Sequence, residues 1–327
     1  MHLRKIMAAA LSFALTAGAV CAARAETYPA RAITIIVPYS AGGGTDVMAR
    51  LIADELSKMW SQPVIVDNRP GASGNIGAER VAHANPDGYT LLITAGAIAI
   101  APSLYAHLAY DPLKDFAPIT KLADVPLLVV TNSGSPLKTM ADLIEMAKKP
   151  GSNVTYATFG SQSPSSMAGA SIAKLAGISM TEIPFKGSQN ALPDILAGRT
   201  TIGLLDAVST TPMVKDGRLR ALAITEPKRA PALPDVPTLV ESGIPFDTVG
   251  WHAAFAPANT PPAIVEKLNA AINKILAYPR LRETIEKNGS VPIEPAPTSA
   301  EWTKQFQADV AVWQNIVQSL HIQKIDF

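Results

Sequence analysis

Cysteine is almost absent from this chain of 327 residues, which contains a single one, Cys21. Because Cys21 lies in an N-terminal segment that we expect to be removed, the mature protein is predicted to have no disulfide, thiol nucleophile or thiolate metal site. The four histidines of the mature chain, His83, His107, His252 and His321, lack metal-ligand spacing, and each is predicted to lie on the surface or cap a helix. We therefore expect no metal and no cofactor.

Long apolar runs and an excess of one charge are also missing. The chain has 28 basic and 27 acidic residues, so it lacks the basic surface with which proteins grip nucleic acids or anionic membranes. Its most apolar stretch, from Ile6 to about Cys21, is shorter than the roughly 20 residues of a membrane-spanning helix. It follows Arg4 and Lys5 and precedes the small residues of "ARA", which is the pattern of a secretory signal peptide with cleavage near Ala25.

Strand-like apolar runs alternate with amphipathic helical segments along the rest of the chain. The runs are "ITIIV", "PVIVD", "YTLLIT", "LLVVT", "NVTYAT" and "TIGLLD". This alternation predicts an α/β fold of mainly parallel sheets flanked by helices. At roughly 100–200 residues per domain, the length predicts two domains. We place domain 1 at 26–130 and 246–327 and domain 2 at 131–245, and we expect the apolar stripe of the last helical segment, Trp302 to Val317, to dock onto domain 1.

The segment "PYSAGGGTD", Pro38 to Asp46, joins the first strand-like run to a helical segment. Glycine lets backbone N–H groups approach a ligand closely, and a helix N terminus presents unpaired donors and a partial positive charge. The segment is therefore predicted to be an anion cradle, with Asp46 as the N-cap that fixes the loop. It lacks the lysine of a P-loop and the G-x-G-x-x-G spacing of a dinucleotide site, so nucleotide binding is not expected.

A second loop, "FGSQSPSSM", leads from the run "NVTYAT" into another helical segment. Its hydroxyl and N–H donors suit a second carboxylate, although Ser163 or Ser165 serves equally well as a helix cap. Two anion cradles, one in each domain, would face each other across a cleft. A serine hydrolase is the enzymatic alternative, because Ser171 and Lys174 fit the S-x-x-K pattern, but the chain has no K-T-G partner motif.

Seven phrases occur in order between Tyr28 and the C terminus. They are "YPARAITIIVPYSAGGGTD", "VDNRPGASGNIGAERVAHANPDGYTLL", "YDPLKDFAPIT", "FKGSQNALPDILAGR", "KDGRLRALAIT", "LPDVPTLVESG" and "APANTPPAIVEKLN". Together they resemble the solute-binding proteins of tripartite tricarboxylate transporters, which are called the Bug family.

The resemblance implies a two-domain periplasmic binding protein fold with a ligand cleft between the domains. It implies a periplasmic receptor, not an enzyme, that closes on a small carboxylate and delivers it to the membrane permease subunits of a transporter. One closing cleft needs no second subunit, so we expect a monomer. A periplasmic sensor that feeds a two-component system is the alternative output. Carried over by position, the ligand-binding residues are Tyr39, Ser40, Ala41, Gly43, Gly44, Asp46, Thr94, Ala95, Gly96, Thr158, Gly160, Ser161, Ser165, Lys186, Gly187 and Asp206.

Two positions depart from the family pattern. Met167 stands where family members often carry a histidine, and Phe185 stands where they often carry a tyrosine. Both changes remove polar groups near the predicted second-domain contacts, which favours a ligand with an apolar or aromatic body. For Met167 this holds only if its side chain does not point into the core.

Overall fold

The computed structural model describes residues 28–161, 163–246 and 248–326 and contains two sheets flanked by helices. The predicted signal peptide, its cleavage site near Ala25 and Cys21 lie outside these residues. The α/β class predicted from the alternation of strands and helices is confirmed. Among the described residues, no helix combines the length and the apolar character needed to span a membrane.

Six strands, numbered along the chain, form the larger sheet. In spatial order they are β11 (Val291–Pro292), β4 (Phe116–Val125), β10 (Gly250–Pro257), β3 (Thr90–Ala95), β1 (Ile33–Val37) and β2 (Val64–Asn68). β1 runs parallel to β2 and β3, whereas β10 runs antiparallel to β3 and β4. Ile35 and Ile36 of β1 are buried in different core clusters, one on each face of the sheet, which is why this strand is a continuous apolar run.

Five strands form the smaller sheet. In spatial order they are β7 (Thr181–Pro184), β6 (Thr155–Thr158), β8 (Ile202–Asp206), β5 (Leu127–Asn132) and β9 (Leu219–Ile224). β6 runs parallel to β7 and β8, whereas β5 runs antiparallel to β8 and β9. β5 and β10 are each the first strand after the chain passes from one sheet to the other. Both run antiparallel to their neighbours. Because β10 and β5 each lie between two strands of opposite direction, most strands of each sheet still share one direction, and the mainly parallel sheets expected from the sequence are present with these antiparallel insertions.

The chain crosses between the sheets twice, at Pro126 between β4 and β5, and again between Ile224 and Gly250. At the first crossing the N–H of Leu127 donates to Thr225 Oγ1 (2.9 Å), and the N–H of Thr225 donates to the Leu127 carbonyl (3.0 Å). These bonds join the outgoing and returning segments. Because β5 pairs within the smaller sheet, we propose Pro126 as the first domain boundary in place of 130/131; the boundary at 245/246 stays a prediction.

Helices cover both faces of each sheet. On the larger sheet, one face carries α1 (Gly44–Trp60), α8 (Pro262–Leu276) and α9 (Pro279–Lys287), and the other carries α2 (Asn75–Ala82), α3 (Ala97–Leu104) and α10 (Ser299–Ser319). On the smaller sheet, α4 (Met140–Lys148) and α5 (Pro164–Ala176) pack on one face, and α6 (Ser188–Leu196) and α7 (Ala207–Lys215) pack on the other. Each sheet therefore buries both of its apolar faces, as a layered α/β domain requires.

The last helix, α10, packs on the larger sheet, as its apolar stripe predicts. Thr298 forms a capping box with Glu301, which fixes where the helix begins. Trp302 and Phe306 are almost fully buried. The ring centroids of Trp302 and Trp251 of β10 lie 5.0 Å apart in an edge-on arrangement, a geometry that aromatic pairs favour.

Charged side chains are buried or half-buried where β4 and the segment after β9 approach α10. Lys121 and Asp124 of β4 form an ion pair with 2.5 Å between Nζ and Oδ1, and only 9% and 19% of their side chains are exposed. Glu226, which follows β9, is buried, and its Oε1 has no hydrogen-bond partner among the described residues. Burial raises the pKa of Glu226 to about 8 and that of Asp309 on α10 to about 6, and the charges of Lys121 and Asp124 act on both. We call Lys121, Asp124, Glu226 and Asp309 the crossing cluster.

Candidate ligand-binding cleft

A cleft of about 650 Å³ lies between loops of the two sheets. The first wall follows β1 and β2 and consists of Pro38, Tyr39, Ser40 and residues 70–74. The second wall follows β6 and β7 and consists of Phe159, Gly160, Ser161, Pro184, Phe185 and Lys186. Each wall thus forms at the carboxyl ends of two neighbouring parallel strands, which is where open α/β sheets bind ligands.

The predicted glycine-loop cradle reaches the cleft only at its beginning. Tyr39 and Ser40 line the first wall, whereas Ala41, Gly43 and Gly44 do not. Gly43 is the N-cap of α1 and Gly44 is the first helical residue. A Cβ built on Gly44 would stand 3.4 Å from a histidine of β10 and 3.5 Å from a valine of α7. The end of the loop therefore faces β10 and α7 and not the cleft.

Asp46 holds the glycine loop from inside α1 and does not line the cleft. It is 2% exposed and accepts hydrogen bonds from the Gly42 N–H (2.8 Å), the Asn68 amide (2.9 Å) and the Arg50 guanidinium (3.0 Å). The prediction that Asp46 is the N-cap is wrong, because it is the third residue of α1 and Gly43 occupies the cap. Although burial raises the pKa of Asp46, these hydrogen bonds lower it below its ordinary value, so the carboxylate is an ionised anchor of the loop.

The three residues predicted at the end of β3 stand behind the first wall. Thr94 is buried, and its Oγ1 lies 3.4 Å from Tyr39 Oη. Ala95 pairs with His252 of β10, and Gly96 is the N-cap of α3. Thr94 thus positions Tyr39, while none of the three residues lines the cleft.

Three predicted residues of the second domain line the cleft, namely Gly160, Ser161 and Lys186. Two others bond within the smaller sheet instead. Thr158 Oγ1 donates to Glu182 Oε1 (2.7 Å), and Ser165 Oγ donates to the Leu204 carbonyl (2.5 Å). Their hydroxyl protons are therefore committed to bonds that join β6 to β7 and α5 to β8.

The remaining predicted residues of the second domain begin helices. Asp206 caps α7, and its carboxylate accepts from the Ser209 N–H (2.8 Å) and from the Ser188 hydroxyl. Gly187 is the N-cap of α6, with a φ of 122° that favours glycine. Ser163 caps α5 by accepting from the N–H three residues ahead, so the capping alternative is confirmed for this serine.

Residues 70–74, which sequence reasoning did not select, are the most unusual part of the first wall. Gly71, Ala72, Ser73 and Gly74 all have positive φ, at 139°, 47°, 55° and 97°. This conformation costs a residue with a Cβ roughly 1–2 kcal/mol, and such strain clusters at ligand sites. Successive N–H groups in turns of this kind form concave anion-binding surfaces, and here they precede the N terminus of α2. The N–H groups of Gly74 and Asn75 already donate to the carbonyls of Gly71 and Ala72, so the earlier N–H groups of the turn are the candidates for an anion. The glycine-rich string "PGASGN" was the signal for this turn.

Asn75, the first residue of α2, is buried directly behind this turn. It is 4% exposed, and its Oδ1 accepts a hydrogen bond from Tyr110 Oη at 2.6 Å. Its Nδ2 has no hydrogen-bond partner among the described residues. A Cβ built on Gly74 would stand 3.2 Å from Tyr39 Oη, so the turn also packs closely on the residues after β1.

His252 is buried, which corrects the prediction that it lies on the surface or caps a helix. It is 5% exposed, and its Nε2 lies 3.1 Å from Thr45 Oγ1. Burial lowers the pKa of His252 to about 4, so its imidazole is neutral near pH 7. The other three histidines are exposed, as predicted. The described part of the chain contains no group of His, Cys, Asp and Glu side chains that could hold a metal ion.

The two positions that depart from the family pattern have different surroundings. Phe185 lines the second wall of the cleft. Met167 is 2% exposed and packs in the core cluster beneath α10. The identity of Met167 therefore carries no information about the ligand. Of the two departures from the family pattern, Phe185 is the one that bears on the ligand.

The residues of the hydrolase alternative do not form a site. Ser171 is buried within α5. Lys174 on the same helix is exposed, and its Nζ donates to the Ser319 carbonyl at 2.6 Å. Neither residue lines the cleft.

Known proteins resemble this chain over almost its whole length. The family model described as "Tripartite tricarboxylate transporter family receptor", TctC, matches residues 48–322. The chain belongs to this family. It is 35% identical over 322 residues to the protein BugT of Bordetella pertussis, covering 97% of this chain and 98% of BugT. The resemblance to the Bug family is thus confirmed.

Solved structures of TctC-type receptors share the fold. The periplasmic binding protein BugD superposes with a TM-score of 0.81 at 31% identity, covering 91% of this chain and 100% of BugD. The R. palustris protein Rpa4515 with adipate gives a TM-score of 0.83 at 32% identity over 91% of this chain and 100% of that one. MatC of Rhodopseudomonas palustris, with bound malate, superposes with a TM-score of 0.77 at 32% identity, covering 89% of this chain and 100% of MatC. The periplasmic binding protein fold is therefore confirmed for this TctC-family chain.

Proposed function

We propose that this TctC-family protein is a periplasmic receptor that captures a small carboxylate in its cleft and delivers it to the membrane permease of a tripartite tricarboxylate-type transporter. The relatives with adipate and malate support a carboxylate ligand. The observation that carries the proposal is the turn at 71–74, a run of positive-φ residues that lines the cleft in front of a helix. Backbone N–H groups in this arrangement bind an anion without a charged side chain.

The proposed contacts come from both walls. We assign the carboxylate to the turn at 71–74 together with the Ser40 hydroxyl, and we assign ligand contacts on the second wall to Gly160, Ser161 and Lys186. The other predicted residues receive a supporting role, because they lie outside the cleft lining. They are Ala41, Gly43, Gly44, Asp46, Thr94, Ala95, Gly96, Thr158, Ser165, Gly187 and Asp206.

The proposed receptor works by closing and not by chemical turnover. A ligand that contacts both walls stabilises the arrangement in which the two sheets approach each other, to the extent that it binds that arrangement more tightly. The permease then recognises the closed form. One cleft is sufficient for this cycle, so we propose a monomer in the periplasm.

A thermal-shift screen of the ligand-free mature chain against mono-, di- and tricarboxylates tests the proposal. A ligand that binds only the folded state adds about 2.7 kcal/mol of stability at a hundredfold excess over Kd. A hydrogen bond to a charged group contributes roughly 1.5–3 kcal/mol, so Ser40→Ala should weaken binding by about tenfold to a hundredfold. Ser152→Ala, at an exposed site in the loop between α4 and β6, is the matched control. Absence of any shift with all of these acids would contradict the proposal.

Delivery to a permease is tested in cells. Deleting the gene for this protein should abolish uptake of the radiolabelled carboxylate that gives the thermal shift, and a plasmid copy should restore it. Unchanged uptake combined with lost ligand-dependent gene induction would favour the sensor alternative over transport.

A further inference from the structure

The second wall of the cleft is built around two phenylalanines at neighbouring strand ends. Phe159 directly follows β6, and Phe185 directly follows β7. The two strands are parallel, with Thr158 opposite Pro184, so the two exits lie side by side. The Phe185 N–H donates to the Thr158 carbonyl at 2.9 Å, which ties one exit to the other. Two aromatic side chains therefore leave the sheet together at the cleft.

Each phenylalanine is held by the core of the smaller sheet. Phe159 packs on the cluster under α4 and α5, and Phe185 packs on the cluster under α6 and α7. Both rings are partly exposed and line the cleft on their remaining surface. Because the rings are packed from opposite faces of the sheet, they present a fixed apolar surface to a ligand.

Polar groups on this wall are few. Apart from backbone groups, this wall offers two polar side-chain groups, the Ser161 hydroxyl and the Lys186 ammonium. A ligand hydroxyl placed against the two rings would lose its hydrogen bonds to water and gain none from the rings. This loss lowers the affinity. A methylene or aryl group in the same place would bury apolar surface instead.

Lys186 supplies the charge of the cleft. It is the one charged residue among those that line the cleft, it is exposed, and it forms no ion pair within the described residues. The first wall, where the turn at 71–74 lies, contributes no charged side chain to the lining. A ligand with a carboxylate at each end matches this arrangement, with one end at the turn and the other at Lys186.

We infer that the cleft selects dicarboxylates whose two carboxylates are joined by a hydrocarbon body without hydroxyl groups. Phe159 and Phe185 contact that body, and Lys186 binds the second carboxylate. The inference rests on the proposed carboxylate-receptor function and adds the ligand class and the residues that choose it.

Three six-carbon acids separate the two parts of the inference in calorimetric titrations of the mature chain. Adipate carries two carboxylates and a bare chain, hexanoate lacks the second carboxylate, and galactarate adds a hydroxyl to each inner carbon. We expect adipate to bind at least about tenfold more tightly than either of the other two, because each comparison removes one favourable contact or adds one unpaired group. Terephthalate, an aromatic dicarboxylate, is the second probe of the same class.

Variants assign each preference to its residue. Lys186→Met should reduce the preference for adipate over hexanoate to about twofold or less, while Lys186→Arg retains it, since both side chains are cationic. Phe185→Tyr should reduce the preference for adipate over galactarate. Lys148→Met, at an exposed site on α4 away from the cleft, should change neither preference.

The outcomes are distinct. Equal binding of hexanoate and adipate, or an unchanged preference in Lys186→Met, would overturn the role of Lys186. Galactarate binding as tightly as adipate would overturn the hydrocarbon selection while the receptor function stands. No binding of any carboxylate would overturn the proposed function together with this inference.

Discussion

Replacing Glu226 by glutamine should change how the stability of this protein depends on pH. Glu226 is 6% exposed, and its Oε1 has no hydrogen-bond partner among the described residues. Burial and the charge of Asp124 together raise its pKa from 4.5 to about 8, and the charge of Lys121 opposes the shift. Asp309 of α10 completes the charged groups of the crossing cluster. The buried carboxyl group is therefore protonated in the folded protein over a range where it is ionised in the unfolded chain.

The sign of the effect follows from proton binding. Between pH 4.5 and 8 the folded state retains a proton on Glu226 that the unfolded state has lost. The free energy of unfolding therefore falls as pH rises through this window. Each pKa unit corresponds to about 1.4 kcal/mol, so the full shift corresponds to about 5 kcal/mol as an upper bound.

His252 and Asp309 also have shifted pKa values, but they affect the free energy of unfolding mainly at lower pH. The pKa of His252 is lowered from 6.5 to about 4, so this group opposes Glu226 below pH 6.5 and is neutral in both states above it. The pKa of Asp309 is raised from 3.8 to about 6, so its contribution is largely lost by pH 6.5. Of these three groups, only Glu226 still changes its protonation between pH 6.5 and 8; burial also raises the pKa of Asp124, while the charge and hydrogen bond of Lys121 lower it. Over this range the free energy of unfolding should fall by about 2 kcal/mol.

Urea unfolding of the mature chain at closely spaced pH values from 6.5 to 8 measures this loss. In Glu226→Gln the amide is neutral in both states, so the fall should shrink to about 0.5 kcal/mol or less. Glu266→Gln, at an exposed site on α8, should keep the wild-type profile. A profile of Glu226→Gln that stays parallel to the wild type would refute the assignment of the buried proton to Glu226.

Three further predictions concern single residues. His252→Gln should remove a component that lowers stability as pH falls from 6.5 to about 4, so the variant should lose less stability on acidification than the wild type in the same urea titrations. Gly77→Ala would place a Cβ 2.9 Å from Pro38 Cα and 3.0 Å from the Arg69 carbonyl, so we expect a loss of about 1–3 kcal/mol in stability and weaker binding of the carboxylate that gives the thermal shift. Thr298→Ala removes the capping box of α10 and should lower the free energy of unfolding by about 1 kcal/mol, measured by urea denaturation.

Features with a local signal could be predicted from the sequence. The apolar run "ITIIV" is strand β1, buried on both faces, and the stripe that begins at Trp302 is the buried face of α10. Their periodicity is set by the backbone geometry of strands and helices, so no distant contact is needed to recognise them. The loop after β1 also lies at the cleft, because loops at the carboxyl ends of parallel strands meet at one edge of the sheet.

The roles of single residues within those loops could not be predicted in the same way. Aspartate is a residue type that commonly caps helices, yet the Asp46 carboxylate accepts from the Gly42 N–H from the third position of α1. The sequence predicts that His252 lies on the surface or caps a helix, and it leaves Met167 open between the ligand and the core, but both are buried by elements distant in the chain. Burial of this kind depends on which helix covers which strand, and sequence spacing does not encode it.

The sequence by itself determined that this is an α/β chain of the TctC family with glycine-rich loops after its strands, since these depend on local periodicity and on phrases in a fixed order. Only the tertiary structure decided that the turn at 71–74, Phe159 and Phe185 share one cleft and that Lys121, Asp124 and Glu226 share one buried cluster. The cleft forms where loops of the two sheets face each other, and the crossing cluster forms where the chain passes between the sheets. Apart from Lys121 and Asp124, which share β4, the residues of each group are far apart in sequence, and the packing of the two sheets and α10 brings them together.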